Sequence, residues 1–222
     1  LGDGIAFVMG GTGMPQPSER YLEAINNLYL QPHGFGGELF SLWTPENVSS
    51  TSRAVGEQIL YNAVMDEING GEVDADHPVV VFGYSQSATI STQEMSNLLA
   101  AGPGGYDPAN LHFVLIGAPN NPIGGMLTRL SFPDGFDGAM QHIPFLNIPL
   151  GIQSTPTTPF ATDVYSTEYD GWAVFPQDLT NPLAVINAIM GIGAVHNAYF
   201  DENLSNVIDL GTIGNTNYYV LP

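Results

Sequence analysis

Cysteine is absent from all 222 residues, which removes disulfides, thiol catalysis and Cys-ligated zinc from consideration. Lysine is absent too. Three arginines (Arg20, Arg53, Arg129) stand against 22 acidic residues, for a formal net charge of −19. A surface of that sign repels phosphate backbones and anionic headgroups, so nucleic acid is not expected as a partner. No apolar run reaches the ~18–20 residues of a transmembrane helix. A His-Glu-x-x-His motif is missing, and no Asp/His cluster has metal-ligand spacing, so no metal is expected. The glycine-rich turn Gly10-Gly11-Thr12-Gly13 lacks the Gly-Lys-Ser/Thr of a phosphate loop and the third glycine of a dinucleotide fingerprint. No cofactor is expected either.

What is present points to one well-cored α/β domain spanning residues 1–222. Hydrophobic residues make up 44% of the chain, so its high charge does not imply disorder. Apolar runs over 5–9, 38–43, 79–82, 111–116, 162–167 and 217–221 read as strands. Helical spacing fits 18–30 (Ser18 as N-cap), 51–68, a segment beyond Ser85 to about Leu99, and 183–192. Strands alternating with helices predict right-handed crossovers and a parallel sheet covered on both faces. Functional groups then gather at the carboxyl ends of the strands.

The most informative stretch is Val79-Val-Val-Phe-Gly-Tyr-Ser-Gln-Ser-Ala88. A buried strand, a sharp turn with Ser85 at its apex and a following helix describe a nucleophile elbow. The residues two before and two after the serine must be small there. Gly83 meets the need fully and Ser87 approximately, making Gly-x-Ser-x-Ser of the usual Gly-x-Ser-x-Gly.

A serine hydroxyl needs a base to take its proton and an acid to orient that base, and in α/β-hydrolases they follow in the order Ser, Asp or Glu, His. His33 and His77 precede Ser85, His112 sits inside a strand, and His142 belongs to an irregular insertion, which leaves His196. Asp170 follows the 162–167 strand and is the favoured acid, with Asp178 as runner-up. The oxyanion is expected to be held by the backbone of Gln86 and by the Gly11–Thr12 region. The apolar segment 121–159 is longer than a usual connection. It reads as a lid or acyl-binding wall, with Phe132, Phe136 and Phe145 as substrate-binding candidates, or else as a satellite core.

The chain also resembles a known family. Phe7-Val-Met-Gly-Gly-Thr-Gly13, Gly83-Tyr-Ser-Gln-Ser-Ala88, Leu115-Ile-Gly-Ala-Pro-Asn-Asn-Pro122 and Tyr169-Asp-Gly-Trp-Ala173 with Phe175-Pro176 look like the PE-PPE domain of mycobacteria and related actinobacteria. His196 followed by Tyr199, and Asn217-Tyr218-Tyr219, fit the same pattern. One departure is Val174, where an acid is expected. The resemblance implies a cutinase-like serine α/β-hydrolase with Ser85, Asp170 and His196 as its triad. It implies a serine esterase or lipase acting on short- to medium-chain acyl esters, or an acyltransferase of cell-envelope lipids. A non-catalytic lipid-binding domain is the third reading, against which the three triad residue types argue. The chain opens at Leu1 without a signal-like segment, which fits a mature form or excised domain of a secreted or envelope-associated protein.

Overall fold

The computed structural model describes residues 1–71, 73–102, 106–130, 142–143, 148–149, 154–200 and 204–222. Seven strands form one sheet: β1 (Ile5–Val8), β2 (Glu38–Ser41), β3 (Val79–Tyr84), β4 (Leu111–Ile116), β5 (Ala161–Thr167), β6 (Ile208–Ile213) and β7 (Thr216–Leu221). Their spatial order is β2-β1-β3-β4-β5-β7-β6, parallel throughout except for the β6–β7 pair. The main helices are α1 (Glu19–Ile25), α2 (Ser50–Gly70), α3 (Gln86–Ala101) and α4 (Pro182–Ala194).

Alternate residues of the central strands feed two cores. Phe7, Val79, Val81, Phe113 and Leu115 pack with Leu60, Val64, Ala88 and Ile90 from α2 and α3. Ala6, Val8, Val80, Phe82 and Val114 pack with Tyr21, Ile25, Tyr29 and Tyr199 on the opposite face. All six residues of β3 are buried, as its unbroken apolar run requires. From β1 the chain steps outward to β2, then crosses back to β3 and continues in the other direction. The carboxyl ends of β1 and β3 therefore flank a topological switch point, where a crevice opens in sheets of this kind.

Most expected elements appear within one to three residues of their predicted limits, with two differences. The helix expected over 18–30 is α-helical only to Ile25 and continues as a wider π turn over Asn26–Leu30, although Ser18 caps it as anticipated by accepting from Tyr21 N at 3.3 Å. The strand β6 was not expected; it is an exposed antiparallel edge whose six residues all face solvent. Of the segment 121–159, the described part includes a short helical turn (Met126–Arg129) and a two-residue antiparallel pairing of His142–Ile143 with Ile148–Pro149.

Candidate active site

The elbow forms where β3 ends. Ser85 takes φ 56°, ψ −111°, a left-handed conformation that a non-glycine residue holds only when its surroundings enforce it. Those surroundings are tight. A Cβ on Gly83 would meet Ser87 O and Ser91 Oγ at 2.8 Å each. Ser87 does more than fit, because its buried hydroxyl accepts from Tyr84 N at 2.8 Å and donates to Tyr84 O at 3.1 Å. The serine in place of the second glycine thus braces the turn.

The structure brings Ser85, His196 and Asp170 together. His196 Nε2 lies 2.8 Å from Ser85 Oγ, and His196 Nδ1 lies 2.9 and 3.0 Å from the two oxygens of Asp170. In the tautomer that satisfies both sides, Nδ1–H donates to Asp170 and Nε2 accepts from the serine. Asp170 is wholly buried and His196 is 7% exposed. Asp170 Oδ1 also accepts from Trp172 N at 3.0 Å. Asp170 N donates to Thr167 O at 3.1 Å, which pins the acid to the end of β5.

Other candidates fall elsewhere. Asp178 is occupied by Thr180, whose N and Oγ1 donate to its Oδ1 at 2.9 and 2.6 Å, and these bonds hold its carboxyl below the usual range. His77 pairs with Asp74 on the surface, and His33 meets the Tyr165 hydroxyl at 2.6 Å. His112 contacts Asp163 at 2.8 Å, toward the amino end of the sheet. Burial alone would raise the Asp163 carboxyl, but bonds from His112 and Asn217 bring it below the ordinary value.

The expected oxyanion donors border the serine. Gln86 opens α3, and the first N–H groups of a helix have no partner within it. Its side chain is tied down, Nε2 donating to Asn47 O at 3.0 Å and Oε1 accepting from Ser52 Oγ at 3.4 Å. A Cβ on Gly11 would stand 3.4 Å from Ser85 Cβ and 2.7 Å from the Tyr84 ring, so only glycine allows this approach. Thr12 follows it, exposed, in a turn closed by Met14 N donating to Gly11 O at 2.9 Å and held by Gly13 N donating to Glu46 O at 2.6 Å. Phe132, Phe136 and Phe145 lie outside the described residues.

Two tyrosines escaped assignment from sequence. The Tyr84 ring stacks on His196 at 5.2 Å, and its hydroxyl lies 2.8 Å from His196 O and 2.9 Å from Asn197 Oδ1. The Tyr199 hydroxyl donates to Asp170 Oδ2 at 2.5 Å. Burial first, and the Asp170 charge second, push both phenols upward, so both stay protonated. Gly117 makes room for the cage, since a Cβ there would lie 3.0 Å from His196 Cε1 and 3.1 Å from the Tyr199 ring. Tyr84 stands beside the serine in the sequence, but no spacing rule marks a residue that stacks on a histidine 112 positions away. Among the described residues no group of three or more His, Asp or Glu could hold a metal ion.

A mostly parallel sheet crossed by helices, with a left-handed serine between β3 and α3, defines the α/β-hydrolase class of fold. Residues 37–222 match the PE-PPE domain model, and the chain belongs to the PE-PPE domain family. It is 39% identical to PE family protein PE3 of Mycobacterium tuberculosis over 97% of the chain and 46% of that protein. It is 35% identical to Esterase PE16 of the same organism over 100% of the chain and 43% of that protein. Diacyltrehalose acyltransferase Chp2, also from M. tuberculosis, is 27% identical over 86% of the chain and 55% of that protein. The chain thus spans less than half the length of PE3 and PE16.

Proposed function

We propose that the chain is a serine esterase in which Ser85, His196 and Asp170 act as one catalytic unit. The observation that carries this reading is the continuous hydrogen-bonded line from Ser85 Oγ through both nitrogens of His196 to Asp170. Ser85 Oγ attacks the acyl carbon as its proton passes to His196 Nε2. Asp170 keeps the imidazole in the accepting tautomer and balances the imidazolium that forms. Charge developing on the carbonyl oxygen falls to the N–H of Gln86 and a donor from the Gly11–Thr12 turn, each worth a few kcal/mol in sites of this type. The protonated histidine then returns its proton to the departing alcohol oxygen, leaving an acyl-serine. Water, activated by the same histidine, releases the acid.

An acyl ester or lipid substrate is supported by the apolar rim. Trp172 lies with its ring centroid 6.3 Å from that of His196. The helix α4, which carries no charged residue, runs toward His196 and exposes Leu183, Ile186, Ile189 and Met190 by more than half. Net charge −19 favours neutral esters over anionic ones. The esterase activity for which PE16 is named supports hydrolysis, and the acyltransferase activity for which Chp2 is named supports a second outcome in which a sugar or lipid hydroxyl replaces water as acceptor. No helix among the described residues is long and apolar enough to cross a membrane. A secreted or envelope location is part of the proposal, supported by the mycobacterial relatives. The test is turnover of neutral acyl esters of graded length, with and without a glycolipid acceptor. Free acid without acceptor supports the esterase; acylated acceptor at the expense of free acid supports transfer; inertness of the folded protein in both arms contradicts the proposal.

A further inference from the structure

We infer that Tyr199 is a positioning residue that sets the orientation of Asp170, and so adds a fourth member to the hydrogen-bonded line from Ser85. The inference rests on the triad reading above.

A tyrosine hydroxyl has a single proton to give. Thr167 N donates to the Tyr199 oxygen at 3.0 Å, which fills one of its acceptor positions from the end of β5. The remaining close partner is Asp170 Oδ2 at 2.5 Å, an acceptor, so the phenol proton points at the carboxylate. Tyr199 and Asp170 are both wholly buried, so the bond is shielded from bulk solvent. A bond to an ionised, desolvated acceptor is among the stronger kinds in proteins.

The phenol is also held from its other end. Tyr29 donates from its hydroxyl to Tyr199 O at 2.7 Å, which fixes the backbone from across the second core. The ring packs edge-on to His196, with centroids 6.2 Å apart. Tyr199 therefore joins three things that must keep register: the end of β5, the acid and the base.

The consequence for Asp170 follows from its donors. Oδ1 takes Trp172 N, Oδ2 takes Tyr199, and His196 Nδ1 reaches both oxygens. Trp172 alone fixes one oxygen and leaves the carboxylate free to turn about its Cβ–Cγ bond. With Tyr199 on the other oxygen, the plane is set, and with it the direction from which His196 is gripped. Tyr84 does not perform this task, since its hydroxyl turns to the His196 carbonyl rather than to Asp170.

The experiment is a double-mutant cycle of Tyr199→Phe with Asp170→Asn, read by kcat and KM for a neutral acyl ester and by the low-field proton resonance of His196 Nδ1–H. Thermal melting is measured alongside. Tyr199→Phe keeps the ring and removes only the hydroxyl. We expect kcat to fall about ten- to hundredfold, in line with loss of a hydrogen bond to a charged group. KM should stay within about twofold, and the imidazole proton resonance should move. In the Asp170→Asn background the same change should have little further effect on kcat, because the charge it acts through is gone. A purely structural role predicts equal losses of kcat in both backgrounds and an unmoved resonance, and that result overturns the inference. An unchanged kcat in Tyr199→Phe overturns it too. Failure of the triad reading is distinct, since Asp170→Asn would then itself leave kcat intact. If Tyr199→Phe does not fold, Tyr29→Phe, which loosens the Tyr199 backbone without touching the acid, should produce a smaller fall in kcat with the resonance displaced in the same direction; no displacement counts against the inference.

Discussion

Asp170 and Asp178 lie eight positions apart, follow the same strand and carry the same functional group, yet the fold gives them opposite surroundings. One is sealed beneath His196 with its oxygens bonded to Trp172, Tyr199 and the imidazole. The other closes a surface turn on Thr180. Sequence order narrows the acid to this pair, and only packing separates them, because both sit where turns favour aspartate. Asp170→Asn should therefore lower kcat severely, up to about ten-thousandfold, while the protein still binds substrate. Asp178→Asn should change it less than twofold. Steady-state kinetics on the two variants, with circular dichroism to verify folding, measures the contrast, and a reversed pattern would assign the acid to Asp178. The serine and the histidine were legible in sequence for a simpler reason: a strand-turn-helix serine has its own pattern, and chain order disposes of four histidines. Tyr84 and Tyr199 were not, since their roles depend on where rings stack in three dimensions.

At the scale of elements, the approach of α4 to the acid turn decides where Asp170 stands. A Cβ on Gly191 would lie 1.8 Å from Tyr169 O, and one on Gly171 would lie 2.0 Å from Ala188 O. Helix and turn touch backbone to backbone. In an isolated helix, Gly→Ala gains about 0.5–1 kcal/mol. Here the added methyl must displace a carbonyl, and overpacking of this kind costs typically about 1–3 kcal/mol. The second effect wins. Gly191→Ala should lower Tm by several degrees and lower kcat with it, as the acid turn moves away from His196. A calorimetric scan that finds higher stability would mean that α4 is free to shift. The same scale explains what the sequence concealed. The strands β3 and β4 announce themselves because both faces are buried and the apolar run is continuous. The strand β6 does not, since Ile208, Leu210 and Ile213 are about half exposed and Asp209 and Gly211 interrupt them. The Gly214-Asn215 pair before β7 was the available hairpin signal, and Gly214 indeed takes φ 62°.

For the whole molecule, acidity and burial set the dependence of stability on pH. Glu94 lies in the middle of α3, fully buried, and neither carboxyl oxygen has a hydrogen-bond partner among the described residues. Burial, with Glu57 opposing its charge from α2, pushes it up to about 8 from the ordinary carboxylate value of 4.5. Burial likewise pushes Glu46 up to about 7, against a bond from Thr44 that lowers it. A carboxyl whose folded value is raised keeps its proton in the native state and loses it on unfolding. Its contribution is greatest below about 4.5 and declines as pH rises toward about 8. Each such proton is worth up to about 1.4 kcal/mol per pH unit inside that window. Asp163 works in the opposite sense, its stabilisation being lost only on acidification below the ordinary carboxylate range. Denaturant titrations from pH 5 to 8 should thus show declining stability, and Glu94→Gln should flatten the slope. A stability that rises through this window in the parent protein would mean that Glu94 is ionised in the fold.

The central claim is that Ser85 is the nucleophile, activated by His196. It is tested most directly by exposing the protein to a fluorophosphonate and locating the adduct by peptide mass spectrometry. A phosphonyl group forms a covalent bond only with a serine whose oxygen has been made nucleophilic by a base. The account predicts one adduct per chain, on Ser85, abolished in Ser85→Ala and slowed by orders of magnitude in His196→Ala. An adduct on another residue, or labelling of Ser85 at the same rate after His196 is removed, would contradict it.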